Sequence, residues 1–129
     1  MEKKRILIAD DEEIVRNLLA EALRSYDYEI DLVENGVEAM SHIDKKSYDL
    51  IITDYMMPKM DGLELTRQIR SKYPSTPILI VTGNGPVHEL LKSGAMACIM
   101  KPFKIFELQN MVKIILNKKS EETGLTPKF

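Results

Sequence analysis

The sequence predicts an α/β domain in which five strands alternate with five helices, giving a doubly wound parallel sheet with helices on both faces. Two observations carry that reading. Short apolar runs alternate with stretches whose apolar residues recur three and four apart. Four of the runs also stop abruptly at residues that carry chemistry. Ile6-Leu7-Ile8-Ala9 ends in Asp10-Asp11, and Leu50-Ile51-Ile52-Thr53 ends in Asp54. Ile78-Leu79-Ile80-Val81 ends in Thr82, and Ala97-Cys98-Ile99-Met100 ends in Lys101-Pro102. Parallel strands bring these ends to one edge of the sheet, the edge where open α/β sheets bind ligands.

Strand one is read as Ile6 to Ala9. Glu12 to Tyr26 follows as a helix, with Ile14, Val15, Leu18, Leu19, Ala22 and Leu23 at helical spacing. Asp11 is its expected N-cap, and Glu12 and Glu13 suit the positive end of the helix dipole. Tyr28 to Val33 sets Tyr28, Ile30 and Leu32 against Glu29 and Asp31, the pattern of a half-exposed edge strand. Asn35-Gly36 breaks it. Val37 to Lys46 is the second helix, inward on Val37, Ala39, Met40 and Ile43. Asp49 to Thr53 is strand three. Leu63 to Lys72 is the third helix, inward on Leu63, Leu65, Thr66 and Ile69.

Pro74 and Pro77 punctuate the loop before strand four, Ile78 to Val81. Gly83 and Gly85 are expected to hold turn angles that other residues resist. A short helix, Pro86 to Ser93, is stopped by Gly94. Strand five is Ala97 to Met100. The last helix is read as Ile105 to Lys118, apolar at Phe106, Leu108, Met111, Val112, Ile115 and Leu116. Ser120 to Phe129 has no periodicity and reads as a tail or linker, leaving residues 1–119 as one domain.

Composition narrows the function. At 129 residues, 44% hydrophobic and 29% charged, the chain has the profile of a globular domain with a core of its own. A net charge of −2 argues against nucleic acid as a direct partner, because phosphate binding wants a basic surface. The lone cysteine excludes an internal disulfide and a paired-cysteine metal site. No apolar run is long enough to span a bilayer. The charged start lacks a signal-peptide core, because Asp10-Asp11-Glu12-Glu13 interrupts the first apolar run. The expected location is cytoplasmic, with no membrane partner.

Asp10, Asp11 and Asp54 at one sheet edge would repel one another unless a proton or a cation intervenes. Hard oxygen donors with room for water suit Mg²⁺. Lys101 can neutralise such a cluster or hold a phosphoryl oxygen, and a cis bond to Pro102 would aim it back into the site. Thr82 adds a hydroxyl. A carboxylate needs no general base to attack phosphorus, and its product is a labile acyl phosphate. His42 and His88 lie on polar stretches without ligand spacing, and Cys98 reads as a small core residue.

These residues resemble the receiver domain of two-component response regulators, of the kind found in the chemotaxis response regulator. The matching features are Asp10-Asp11, Asp54, Met57-Pro58 with Met60-Asp61-Gly62, Thr82, Gly94-Ala95 and Lys101-Pro102-Phe103. The resemblance spans roughly Lys4 to Lys119. It implies a flavodoxin-like sheet of strand order 2-1-3-4-5. It further implies a phosphorelay function rather than an enzyme with an external substrate. By resemblance, Asp54 accepts a phosphoryl group from a sensor histidine kinase or phosphotransfer protein, and partner binding to an output protein or domain switches in response. Asp11 and Asp54 would bind Mg²⁺ with the backbone carbonyl of Met56, and Asp10 would act through water. Thr82 and Lys101 would hold the phosphoryl group. The chain departs from the family at Cys98, where an aromatic residue is usual, and in the segment from Thr82 to Gly94, shorter by about one helical turn.

Two other functions fit less well. A haloacid dehalogenase-type phosphatase also forms an aspartyl phosphate, but spaces its strand-one acids by one residue, whereas Asp10 and Asp11 are adjacent. A flavin-binding electron carrier would want phosphate-binding amides after strand one, where Asp11-Glu12-Glu13 would repel the phosphate.

Overall fold

The computed structural model of the chain describes residues 3–122. Its elements in order are β1 (Arg5–Ala9), α1 (Glu13–Leu23), β2 (Glu29–Val33), α2 (Gly36–Lys45) and β3 (Leu50–Thr53). Then come α3 (Gly62–Lys72), β4 (Ile78–Thr82), α4 (Val87–Lys92), β5 (Ala97–Met100) and α5 (Ile105–Glu122). The strands form one sheet of order β2-β1-β3-β4-β5, every pair parallel. This is the doubly wound, flavodoxin-like order that the sequence resemblance implies.

Strand alternation divides the core. Ile6, Ile8, Leu50, Ile52, Leu79 and Val81 face α1 and α5, meeting Leu19, Leu23, Leu108, Val112 and Ile115. Leu7, Ala9, Ile51 and Ile80 face the other way, onto Ala39 and Ile43 of α2, Leu65 and Ile69 of α3 and Leu90 of α4. Each fully buried leucine or isoleucine contributes about 1.5–3 kcal/mol by leaving water. The three central strands β1, β3 and β4 are buried along nearly their whole length. Strand β2 lies at an edge and stays half-exposed, as expected, but its burial does not follow the alternation, since Leu32 is exposed and Val33 buried.

Several boundaries and faces differ from the sequence reading. Helix α1 begins at Glu13 with Glu12 at the N-cap position and no side-chain cap. Asp11 is therefore not the cap. The Asp10 carboxylate instead accepts the Glu12 N–H at 2.9 Å. Ile14 and Leu18 are exposed, at 84% and 47%, because α1 buries the face carrying Leu19, Ala20, Ala22 and Leu23. Val37 and Phe106 are exposed in the first turns of α2 and α5, off the faces those helices bury. Asn35 and Asp61 cap α2 and α3 by accepting the N–H groups of Glu38 and Glu64. Helix α5 passes Lys118 and runs to Glu122, so Ser120 to Glu122 are helical rather than tail; the rest of the expected tail, 123–129, lies outside the described residues. Among the described residues no helix is long and apolar enough to cross a membrane.

Candidate functional site

Asp10, Asp54 and Lys101 each directly follow a strand, and the sheet order brings them together. The Asp10 N–H donates to Val33 O at 3.2 Å, and the Asp54 N–H to Ala9 O at 3.0 Å. The Lys101 N–H donates to Thr82 O at 2.9 Å, continuing the pairing of β5 with β4. The ladder thus fixes all three backbones before any side chain is placed.

Lys101 Nζ lies 3.3 Å from Asp10 Oδ2 and 3.2 Å from Asp54 Oδ2. The Lys101-Pro102 bond is cis. Asp10 is 1% exposed and Asp54 7%. Burial pushes the Asp10 carboxyl above its ordinary range; the Glu12 N–H and Lys101 oppose the rise, and Asp54 adds to it. Burial pulls the Lys101 ammonium down, but its two carboxylate neighbours outweigh burial, so it is held above the ordinary lysine range. The second Asp54 oxygen, Oδ1, accepts the Tyr55 N–H at 2.7 Å. Gly62 opens α3 directly against this strand end. A β-carbon at Gly62 would stand 2.4 Å from the Asp54 carbonyl oxygen, so the close approach requires glycine.

Thr82 is the last residue of β4 and 2% exposed. Its hydroxyl oxygen accepts the Asn84 N–H at 3.3 Å. A cleft of about 430 Å³ opens over this edge, lined by Asp11, Glu12, Asp54, Met56, Thr82 and Lys101 together with Gly83 and Asn84. Of the residues expected at the site, Asp11, Asp54, Met56, Thr82 and Lys101 line that cleft, and Asp10 is buried next to it, paired with Lys101.

The donor chemistry fits a hard divalent cation. Carboxylate oxygens of Asp10, Glu12 and Asp54 lie within 4.8 Å of one another. Glu12 is the residue the sequence reading missed. Its signal was the unbroken run Asp10-Asp11-Glu12-Glu13, but a glutamate at a helix start is adequately explained by the dipole. Asp11 is exposed on the rim of the cleft and is not one of those three acids. His42 and His88 are exposed, away from the site, as expected. Cys98 is half-buried rather than fully in the core, and burial pushes its thiol up.

A family model described as the response regulator receiver domain matches residues 6–113. The chain is 37% identical over 123 residues to the response regulator MprA of Mycobacterium sp. (strain KMS), covering 93% of this chain and 54% of that protein. It is 36% identical over 131 residues to the sensor protein EvgS of Escherichia coli (strain K12), covering 99% of this chain and 11% of that one. The chain therefore spans about half the length of MprA and about a tenth of EvgS. Among solved structures, a CheY-like response regulator receiver domain protein from Methanospirillum hungatei JF-1 superposes with a TM-score of 0.89 at 28% identity, covering 94% of this chain and 99% of that one. The receiver domain of the Francisella response regulator 1452 gives 0.84 at 29% identity, covering 90% and 98%.

Proposed function

The chain belongs to the response regulator receiver domain family, and on that premise we propose that Asp54 is its phosphoacceptor. Membership makes it a phosphorelay signalling domain of two-component systems and leaves the phosphatase reading without support. One observation carries the assignment of roles: Lys101 bridges Asp10 and Asp54 at the sheet edge, with Thr82 on the next strand end.

An Asp54 carboxylate oxygen attacks the phosphorus of a phosphohistidine on a sensor histidine kinase or phosphotransfer protein. The phosphorus–nitrogen bond breaks as the acyl phosphate bond forms, and the imidazole leaves. Asp11, Asp54 and the Met56 carbonyl would hold Mg²⁺, with Asp10 acting through water and Glu12 as a further donor nearby. Mg²⁺ held there would supply positive charge to balance the transferring phosphoryl oxygens. Lys101 exchanges a carboxylate partner for a phosphoryl oxygen, and the Thr82 hydroxyl donates to another. An output protein or domain would read the switched state, and the segment that follows the receiver would serve as a tail or a linker. Self-catalysed phosphorylation and dephosphorylation are its only chemistry in this reading, and its working place is the cytoplasm.

Incubation with acetyl phosphate or a phosphorylated kinase, in the presence of Mg²⁺, should add one phosphoryl group. Chelating the metal beforehand should prevent it. Incorporation unchanged in Asp54→Ala would overturn the assignment.

A further inference from the structure

Asp10 is gripped at three points. Its Oδ1 accepts the Glu12 N–H, its Oδ2 accepts Lys101, and its backbone carbonyl accepts the Arg16 guanidinium at 2.7 Å. The third grip belongs to no part of the site described so far. Arg16 is a half-buried residue on the first turns of α1, and its backbone N–H donates to Glu12 O. Its side chain reaches back past Glu12 and Asp11 to the end of β1. The carbonyl it takes is part of the peptide that joins Asp10 to Asp11. The orientation of that peptide decides where the Asp11 and Glu12 side chains emerge.

We propose that Arg16 is a positioning residue for the cation site: it locks the β1–α1 turn so that Asp10 and Glu12 converge on Asp54, with Asp11 at the rim of the same cleft. This rests on the proposed Mg²⁺ site. Two physical effects of Arg16 have opposite signs. As a charge, a guanidinium beside an acidic cluster repels a divalent cation. As a strut, it holds donors in place, and losing such outer contacts typically weakens metal affinity about 10–100-fold. A charged hydrogen bond to the carbonyl of buried Asp10 is the stronger effect here, because the guanidinium ties α1 to the end of β1 across the turn, whereas the Glu12 N–H bond to Asp10 acts within it. The Asp11 side chain is exposed, and α1 lacks a side-chain cap.

The sign makes the test decisive. Mg²⁺ binding to the wild type, Arg16→Met and Arg16→Lys is measured by isothermal titration calorimetry, with melting curves to show that each variant folds. Arg16→Met should bind Mg²⁺ about tenfold more weakly although it has lost a repelling charge, and Arg16→Lys should recover part of the loss. Tighter or unchanged binding in Arg16→Met would overturn the proposal and leave the cation site standing. If Arg16→Met does not fold, Arg16→Lys carries the test, since it keeps the charge: weaker binding supports the strut, and unchanged binding overturns it. No Mg²⁺ binding by the wild type would sink the cation site, and this proposal with it.

Discussion

At the scale of single residues, the site is a charge balance. Two buried carboxylates share one ammonium, with Lys101 at 3.3 Å from Asp10 and 3.2 Å from Asp54. Removing one partner of a buried ionic group leaves the others uncompensated, which costs more than the group contributed. Lys101→Ala should therefore destabilise the domain by about 2 kcal/mol, less than a fully enclosed pair because the cleft is open to water. Mg²⁺ should narrow that gap, since a cation among the acids takes over the balancing role. The variant should bind Mg²⁺ as tightly as the wild type or more tightly, yet phosphorylate poorly. Thermal melts with and without Mg²⁺, alongside phosphorylation rates, check this. A collapse of Mg²⁺ affinity with normal phosphorylation would mean that Lys101 serves the metal instead.

A second residue cluster ties β2 and the loop before β3 at a distance from the site. Asp31 Oδ2 accepts the Tyr48 hydroxyl at 2.6 Å and Lys46 Nζ at 2.9 Å. Burial pushes the Asp31 carboxyl up, and these two hydrogen bonds outweigh it, so Asp31 sits below the ordinary carboxylate range. A depressed acid stabilises the fold above its unfolded value, about 3.9, and loses that contribution as pH falls through its folded value. Tyr48→Phe should cost about 1–2 kcal/mol at neutral pH. The gap between variant and wild type should close as pH drops below the usual carboxylate range. Denaturant melts across that window test it, and a pH-independent gap would show that packing alone accounts for the loss.

At the scale of elements, the segment between β4 and β5 holds the shortest helix among the described residues. Helix α4 has six residues, and its C-terminal end is tied to α3 by Arg70, which donates to Gly94 O at 2.8 Å. Its other end leads back through Gly83 to Pro86. Neither Gly83 nor Gly85 has positive φ, so the expected turn-angle role does not hold. Gly85 matters through space: a β-carbon there would meet Thr82 Cγ2 at 3.0 Å and Tyr55 Cβ at 3.3 Å. A movement of Thr82 on phosphorylation should therefore be felt in this loop. Cys98, half-buried on β5 and paired with Ile80, has no ring to swing into vacated space. Beryllofluoride, which mimics the aspartyl phosphate, should shift backbone amide resonances mainly from Gly83 to Leu90. Cys98→Ala should preserve that pattern, and Gly85→Val should diminish it. Loss of the pattern in Cys98→Ala would place the switch on β5 instead.

At the scale of the whole molecule, the chemistry is held by the part of the fold that was easiest to read. Four strand ends were legible because each apolar run breaks at a polar residue, and a parallel sheet leaves no choice about where those ends go. The strand order itself came from resemblance; alternation alone leaves several orders open. Three things were hidden for physical reasons. Glu12 had a sufficient local role as a helix-start acid, so its approach to Asp10 and Asp54 was invisible without the turn. Ile14 and Phe106 fit helical spacing, but spacing cannot say which residues at the margin of an apolar stripe stay in water. Arg16 reaches a carbonyl six residues back, a contact made by a turn geometry that side-chain pattern does not encode.

The converging strand ends should serve to phosphorylate one carboxylate, that of Asp54. An acyl phosphate is reduced by borohydride to an alcohol, which marks the modified aspartate permanently as homoserine. The protein is phosphorylated in the presence of Mg²⁺, reduced, digested and mapped by mass spectrometry. The expected result is homoserine at position 54 alone. Homoserine at Asp10 or Asp11, or a phosphoryl group on serine, threonine or histidine that survives reduction, would contradict an Asp54 phosphoacceptor.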